Sequence, residues 1–423
     1  MAFCGKLTEM NTRDLHPARD RALSFNMRLI AHHDLSGFGG IGEGMAMQLA
    51  RDGRRILWLA HESAPKNFTG VDVTDPATPR VVVQTELPHA KVRSNSLDVV
   101  GDMMAVAYQV QTPGATPAGF ELFDIATPEK PRLITHFDAS GPYSRGVHAL
   151  WFVDGEFVHM ASGAADFQPR HPFDDQFYRI IDVRKPTAPA EVGRWWLPGT
   201  REGDDAPPPQ RLDLKFDAGF RAHNTNVFPQ RPDRAYVGYI DGGALIIDIA
   251  DKARPKLVGR WQNSPPFNGF THTVLPLFDR NLIIVSDECI KDDGFDWPKL
   301  VWVLDSRAEN NPVPISTLPP APHSTFARRG GRFGAHNLHE NLPVPTSWRS
   351  DQMVIGTFFN AGLRAYDISD PYRPEEVAYY VPAVPALSRA GAIQLNDVFV
   401  DDRRIVYTVD RFIGGLYILE MTL

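Results

Sequence analysis

The sequence predicts an all-β fold, a seven-bladed β-propeller of four-stranded blades, and three observations predict it. One hairpin signature recurs six times at long, regular intervals. The chain is rich in turn formers, with 33 Gly and 36 Pro in 423 residues, and it offers no amphipathic helix of useful length. Its two ends also carry complementary pieces of one further blade.

The signature is an apolar strand ending in Asp, a polar turn, a Pro and a second apolar strand. It reads "VDVTDPATPRVV", "FDIATPEKPRLI", "IDVRKPTAPAEV", "IDIADKARPKLV", "LDSRAENNPVPI" and "YDISDPYRPEEV". Asp72, Asp124, Asp182, Asp248, Asp305 and Asp367 are each followed seven residues later by Pro79, Pro131, Pro189, Pro255, Pro312 and Pro374. Successive aspartates lie 52 to 66 residues apart. That interval exceeds a helical solenoid repeat and suits a four-stranded propeller blade with decorated loops. The aspartate is expected to accept backbone N–H groups of its own turn. The proline fixes φ and removes a donor where an outer strand begins.

The seventh blade has to be assembled from both ends of the chain. The C-terminal "RIVYTVDRFIGGLYILEMTL" supplies strands but stops before a proline-led outer strand. "MRLIAHHDLSG", starting at Met27, matches "PRLITHFDASG", starting at Pro131, at most positions. An N-terminal strand completing the last blade closes the ring and removes its exposed edges. The expected organisation is a tail over residues 1–20 and a single propeller domain over 21–423. "GDDAPPPQ" at Gly203 is then a surface loop within it.

Composition narrows the partner class. A net charge of −7 with no lysine- or arginine-rich run argues against a nucleic-acid or anionic-membrane surface. Cys4 and Cys289 cannot make a disulfide framework or a zinc ribbon. The N-terminus carries charges throughout and lacks the apolar core of a signal peptide, and no later run suits a bilayer. A cytoplasmic protein acting on a small molecule is expected, with neither a nucleic-acid nor a membrane partner; a homo-oligomer stays open.

The segments "LIIDI", "LFDI" and "AYDISDPYRP" resemble the LVIVD-repeat proteins, a bacterial group of predicted β-propellers. The resemblance extends over nearly the whole chain after the N-terminal tail. It implies the fold; propellers carry many unrelated functions, so it implies no activity.

Propeller sites gather where the innermost strands converge on the central channel. Counting back six or seven residues from the turns at Asp52, Gly101, Asp154, Asp279 and Asp402 gives Met45 or Ala46, Asn95, His148, His272 and Asn396. The matching "AHN" of "RAHNTNVFPQRPDR" and "GAHNLHENLPVPTSWRSD" adds His223 and His336. The ring reads apolar, Asn, four His, Asn. A lone histidine there is usually a strut between blades. Four in consecutive blades are best satisfied by one shared cation. His148, His223, His272 and His336 are therefore the expected ligands of a divalent transition metal, with Fe(II) favoured and Zn, Cu, Ni or Mn open.

The returning strands bring His61, Glu62, Glu288 and Arg411 to the same mouth. Glu288, Glu62 and His61 are candidate acid–base or ligand-orienting groups, and Arg411 could hold a carboxylate or oxyanion. Asn95, Asn396, Tyr108, Tyr239 and Phe359, with Gln109 and Asn360, are candidate pocket residues. "SGFGGIGEG" at Ser36 follows no Rossmann-like pattern and is expected to be a flexible loop between outer and inner strands. His32, His33 and Cys289 are expected to be peripheral or structural. In "RFGAHNLHENLP", His336 and His339 are an odd number apart and should face opposite sides of a strand. His339 and Glu340 are placed between blades or in the following turn.

The expected function is a metal-dependent enzyme, an oxidoreductase or oxygenase acting on a small aromatic or unsaturated substrate. The site design is similar to four-histidine iron oxygenases of the carotenoid-cleavage type, by analogy alone. A lyase, isomerase or hydrolase using the ion as Lewis acid is the alternative. A non-catalytic binding scaffold with structural histidines is the second.

Overall fold

The computed structural model describes residues 21–37, 40–211 and 215–423; the tail expected over residues 1–20 lies outside them. Seven antiparallel blades stand around a central axis, four-stranded except that the inner strand of blade 2 is split into Val92–Arg93 and Leu97–Val100 and the innermost position of blade 6 is an isolated bridge at Leu338. Blade 1 comprises Ile41–Leu49, Arg55–His61, Lys66–Asp72 and Arg80–Glu86. Blades 2 to 5 repeat this inner-to-outer order through residue 317. Among the described residues α-helix amounts to His323–Phe326, so no helix is long and apolar enough to cross a membrane.

The hairpin signature does what its chemistry predicts. In all six copies the aspartate Oδ1 accepts the backbone N–H two residues on, at 2.7 to 3.0 Å. Every proline immediately precedes an outer strand, at Arg80, Arg132, Ala190, Lys256, Val313 and Glu375. The turn is thereby set locally, and the apolar strands on either side are left to pack between blades. Leu57, Leu59, Val71, Ile180, Ile247, Val303 and Ile418 are fully buried there, each removal from water contributing roughly 1.5–3 kcal/mol.

The ring closes with the N-terminal strand, as expected. Met27–His33 pairs with Leu416–Met421 and completes blade 7. A second contact was not foreseen: Leu23–Phe25 pairs with Glu375–Val381 and adds an outermost strand to blade 6. Asn26 joins the two, with a left-handed φ of 49° and its side-chain Nδ2 donating to Val377 O at 2.9 Å. One short segment thus grips both blades at the seam.

The inner strands do not run regularly to the mouth. Registers slip between Val147 and Ala149, Thr271 and Thr273, and Leu395 and Asp397. His148, His272 and Asn396 are the extra residues, so each sits on a bulge that turns its side chain toward the axis.

Candidate metal centre

The four histidines expected to converge do so, around a residue the sequence reading missed. Glu43 Oε2 lies 3.8 Å from His148 Nε2, 3.8 Å from His223 Nε2 and 3.6 Å from His272 Nε2. Glu43 Oε1 lies 3.6 Å from His336 Nε2. His148 Nε2 and His223 Nε2 are 2.8 Å apart. Glu288 joins from the next strand, 3.6 Å from His336 Nε2 and 4.0 Å from His223 Nε2. Two overlapping sets, Glu43–His223–His272 and His272–Glu288–His336, are each compact enough to hold an ion.

Blade 1 therefore contributes a carboxylate where an apolar Met45 or Ala46 was expected. The pairing of Met45 with Leu59 is regular, and both face the core. The slip comes earlier, between Ile41 and Met45, and spreads over Gly42, Glu43 and Gly44. The glycines permit this because the neighbouring strand is in contact. A Cβ on Gly42 would stand 2.5 Å from Asn95 O, and one on Gly44 2.2 Å from Leu97 N. Part of "SGFGGIGEG" is thus a built edge of the site, which corrects its reading as a flexible crossing loop. Both groups that could hold an ion combine imidazole nitrogen with carboxylate oxygen, where four imidazoles alone were expected.

Each imidazole is oriented through its far nitrogen. His336 Nδ1 lies 2.7 Å from Asn396 O, His223 Nδ1 2.8 Å from Asn224 Oδ1, His272 Nδ1 2.8 Å from Thr273 Oγ1, and His148 Nδ1 3.1 Å from Gln109 Oε1. A carbonyl only accepts, so His336 must carry its proton on Nδ1 when neutral, leaving an Nε2 lone pair facing two carboxylates. Phe359 stacks on this ring at 4.6 Å and fixes its plane. Glu43 Oε2, His272 Nε2 and His336 Nε2 are buried with no hydrogen-bond partner among the described residues.

Charge sharpens the picture. Burial opposes ionisation of Glu43, but the four imidazoles outweigh it and hold the carboxyl well below its usual range. Burial likewise opposes ionisation of Glu288, and His336 with Arg332 brings it down to about 2. Burial, then the neighbouring imidazole, lowers His148 and takes His223 to about 4. At neutral pH the centre thus holds ionised carboxylates facing neutral His148 and His223. Two donors bound at roughly 2.0–2.2 Å to one ion stand about 3–4 Å apart, which covers most of the distances seen. The residues fit a transition metal.

The remaining candidates are placed as follows. Glu62 pairs with Arg93 at 2.7 Å and with Arg411, whose Nη1 donates to Asn396 Oδ1 at 3.0 Å. Asn396 Nδ2 holds Gly42 O at 2.9 Å, and Asn95 Nδ2 reaches His148 O at 3.4 Å; both support ring backbone instead of lining a pocket. His61 is fully buried inside blade 1 with Nε2 2.8 Å from Thr69 Oγ1, away from the imidazoles. Tyr108 bonds Asn67 at 2.8 Å and Tyr239 accepts from Leu197 N at 3.1 Å; both are buried in the sheets, which corrects their assignment to a pocket. Phe359 and Asn360 are also fully buried, Asn360 donating to Phe326 O and Gly330 O. His339 sits between blades 6 and 7, bonded to Trp348 O and Val400 N, and His32 is peripheral beside Gly414. Cys289 is buried against Asp296, and burial pushes its thiol up.

Glu340 is also placed differently from expectation. It lies in the channel behind Glu43, accepting Asn224 Nδ2 at 2.7 Å and Asn226 Nδ2 at 2.9 Å. It shares a cavity of about 30 Å³ with Glu43, Asp98 and Asp397. Burial pushes up the carboxyls of Asp98, Glu340 and Asp397. Only Leu338 bridges to the neighbouring strand in this segment, at Gly356, and His336 and Asn337 both bond Thr357, so simple alternation from His336 does not place Glu340.

Comparison with known proteins bears on the fold. The LVIVD repeat matches residues 233–263, which span the last three strands of blade 4. No curated protein matches the chain. The β-propeller domain of Cps50 (Swd1) from Myceliophteria thermophila is similar in structure, with a TM-score of 0.52 at 13% identity, covering 90% of this chain and 99% of that one. At that identity the likeness concerns the fold alone. The matched blade, the same Asp–Pro hairpin in five others and the closed seven-fold ring lead to one statement: the chain is a β-propeller that carries an LVIVD repeat over residues 233–263.

Proposed function

We propose that the protein is a metal-dependent enzyme with one divalent ion at the mouth of the propeller channel, acting on a small organic substrate. The observation that carries this reading is the buried Nε2 of His336, without a hydrogen-bond partner among the described residues and 3.6 Å from both Glu43 and Glu288. Were His336 instead a protonated strut, charge-assisted bonds near 2.7–2.9 Å would be expected. A cation between the three groups would account for the 3.6 Å separations. Glu43 has no lysine or arginine within ion-pair reach among the described residues; its partners at 3.6 to 3.8 Å are the four imidazoles.

His148, His223, His272 and His336 would hold the ion, with Glu43 and Glu288 completing the shell. Nitrogen and carboxylate donors together suit Fe(II), Mn or Zn, and Fe(II) is favoured for oxidation of an aromatic or unsaturated substrate. When bound, the ion supplies Lewis acidity and, as iron, access to O₂. The residues around it orient and hold protons. Asn224, Thr273, Gln109 and Asn396 fix ring planes, and the carboxyls behind Glu43 keep protons in a closed cavity. Low-lying Glu288 supports a ligand role better than an acid role. A Lewis-acid lyase or hydrolase stands on the same centre.

Metal analysis of protein purified without a histidine tag tests the reading. About one equivalent of iron, manganese or zinc per chain is expected. No metal, with unfolding unaffected by chelator, would leave the histidines as struts and the enzyme readings without support. Oxygen consumption by the loaded protein then separates oxidation from Lewis-acid chemistry.

A further inference from the structure

A collar of guanidinium groups surrounds the imidazole cluster on its open side. Arg93 and Arg411 share Glu62. Arg93 continues to Gln109 Oε1 at 2.6 Å and to His148 Nδ1 at 3.2 Å, and Gln109 Nε2 donates to Gln176 Oε1 at 3.0 Å. Gln176 Oε1 also accepts Arg221 at 3.2 Å, while Arg145 and Arg221 share Asp175 at 2.6 and 3.5 Å. Arg332 closes the far side on Glu288 at 2.7 Å and lies over the Phe359 ring. Strands of blades 2, 3, 4, 6 and 7 and their adjoining loops thus each send an arginine to one place.

The collar is not neutral. Five guanidiniums meet three carboxylates, Glu62, Asp175 and Glu288, and surround a fourth, Glu43, which leaves one positive charge in excess. Nearby Asp174 and Asp217 are engaged by Arg211 and by backbone N–H groups. The five side chains remain 12 to 28% exposed, so solvent reaches them while the imidazoles behind are almost closed off. Arg332 donates through Nη1, leaving Nε and Nη2 without a partner among the described residues; Arg221 keeps Nη2 in the same state. Carboxylates already hold these guanidiniums in place, so their free N–H groups are aimed before a ligand arrives.

We infer that the substrate of this site is a small organic anion, its carboxylate or equivalent oxyanion seated against Arg221 and Arg332 beside the metal-binding imidazoles. This deepens the proposed function and rests on it for the reaction, but not for the binding, which belongs to the chain's own arginines.

The test is calorimetric titration of benzoate, succinate and inorganic phosphate, against the neutral benzamide, into zinc-loaded and chelator-treated protein. At least one of the anions should bind both forms, weaken with added salt and exceed benzamide by at least about tenfold. Arg221→Gln and Arg332→Gln should each weaken that anion by about tenfold or more, and Arg332→Lys should recover part of the loss. Arg221→Gln leaves Asp175 its Arg145 partner, so an unchanged unfolding midpoint is expected and serves as the folding control. Failure of all three anions at millimolar concentration would overturn the inference, as would benzamide binding as well as benzoate or full binding in both glutamine variants. Absence of metal with anion binding intact would defeat the metal reading and leave this one standing.

Discussion

Glu43 and His339 show how burial and partner decide what a polar side chain does. Glu43 is aimed at four Nε2 atoms, whereas His339 spends both ring nitrogens on the backbone of Trp348 and Val400. Replacement of His223 by Ala, or of Glu43 by Gln, should empty the centre, read as metal content per chain. His339→Ala should keep the metal and instead destabilise by about 3 kcal/mol, through a cavity and orphaned backbone groups, read by denaturant unfolding. Acid supplies another contrast. Burial holds His339 at about 4, below its ordinary value near 6.5, so the folded state favours the neutral ring. Its stabilising effect is complete above the ordinary value and is lost as pH falls toward about 4. Because Asp98 and Asp397 shift the opposite way, the useful quantity is wild type minus His339→Gln. That difference should shrink by about 2 kcal/mol between about pH 7 and about pH 5.

At the scale of one strand, bulges decide which residue meets the axis. His148, His272 and Asn396 each occupy a single-residue bulge six or seven residues before the turn, which is why counting back from the turns finds them. Glu43 escapes that count because its slip spans several residues and lies farther out. The one sign of it in the sequence is the Gly-Glu-Gly triplet, whose glycines read as loop chemistry until the contact with Asn95 and Leu97 is known. Gly44→Ala should therefore cost about 1–3 kcal/mol by overpacking against Leu97 N and should also lower metal content, since it moves Glu43. An alanine at Gly53, whose Cβ would meet nothing within 4 Å but whose φ is +86°, should cost about 1 kcal/mol and leave metal content unchanged.

For the whole molecule, the fold was legible because its punctuation is local. An aspartate that closes its own turn and a proline that opens an outer strand work without reference to distant residues, so six copies identify the blades. What distant blades do to one another is not written that way: Arg93, Gln109, Gln176 and Arg221 meet only once the ring is closed. Closure itself depends on Met27–His33. A chain beginning at residue 34 should expose the edge of Leu416–Met421, unfold at least about 5 °C lower and aggregate, as followed by scanning calorimetry and light scattering.

The double grip at the seam has a mechanical consequence. Met27 lies opposite Met421, so tension applied through these two ends pulls the last pair of strands apart from one end, rung by rung, like a zipper. Leu23–Phe25, held on the neighbouring blade through Asn26, must be peeled away before that load reaches the first rung. A weak opening geometry is thus guarded by a short strand anchored elsewhere.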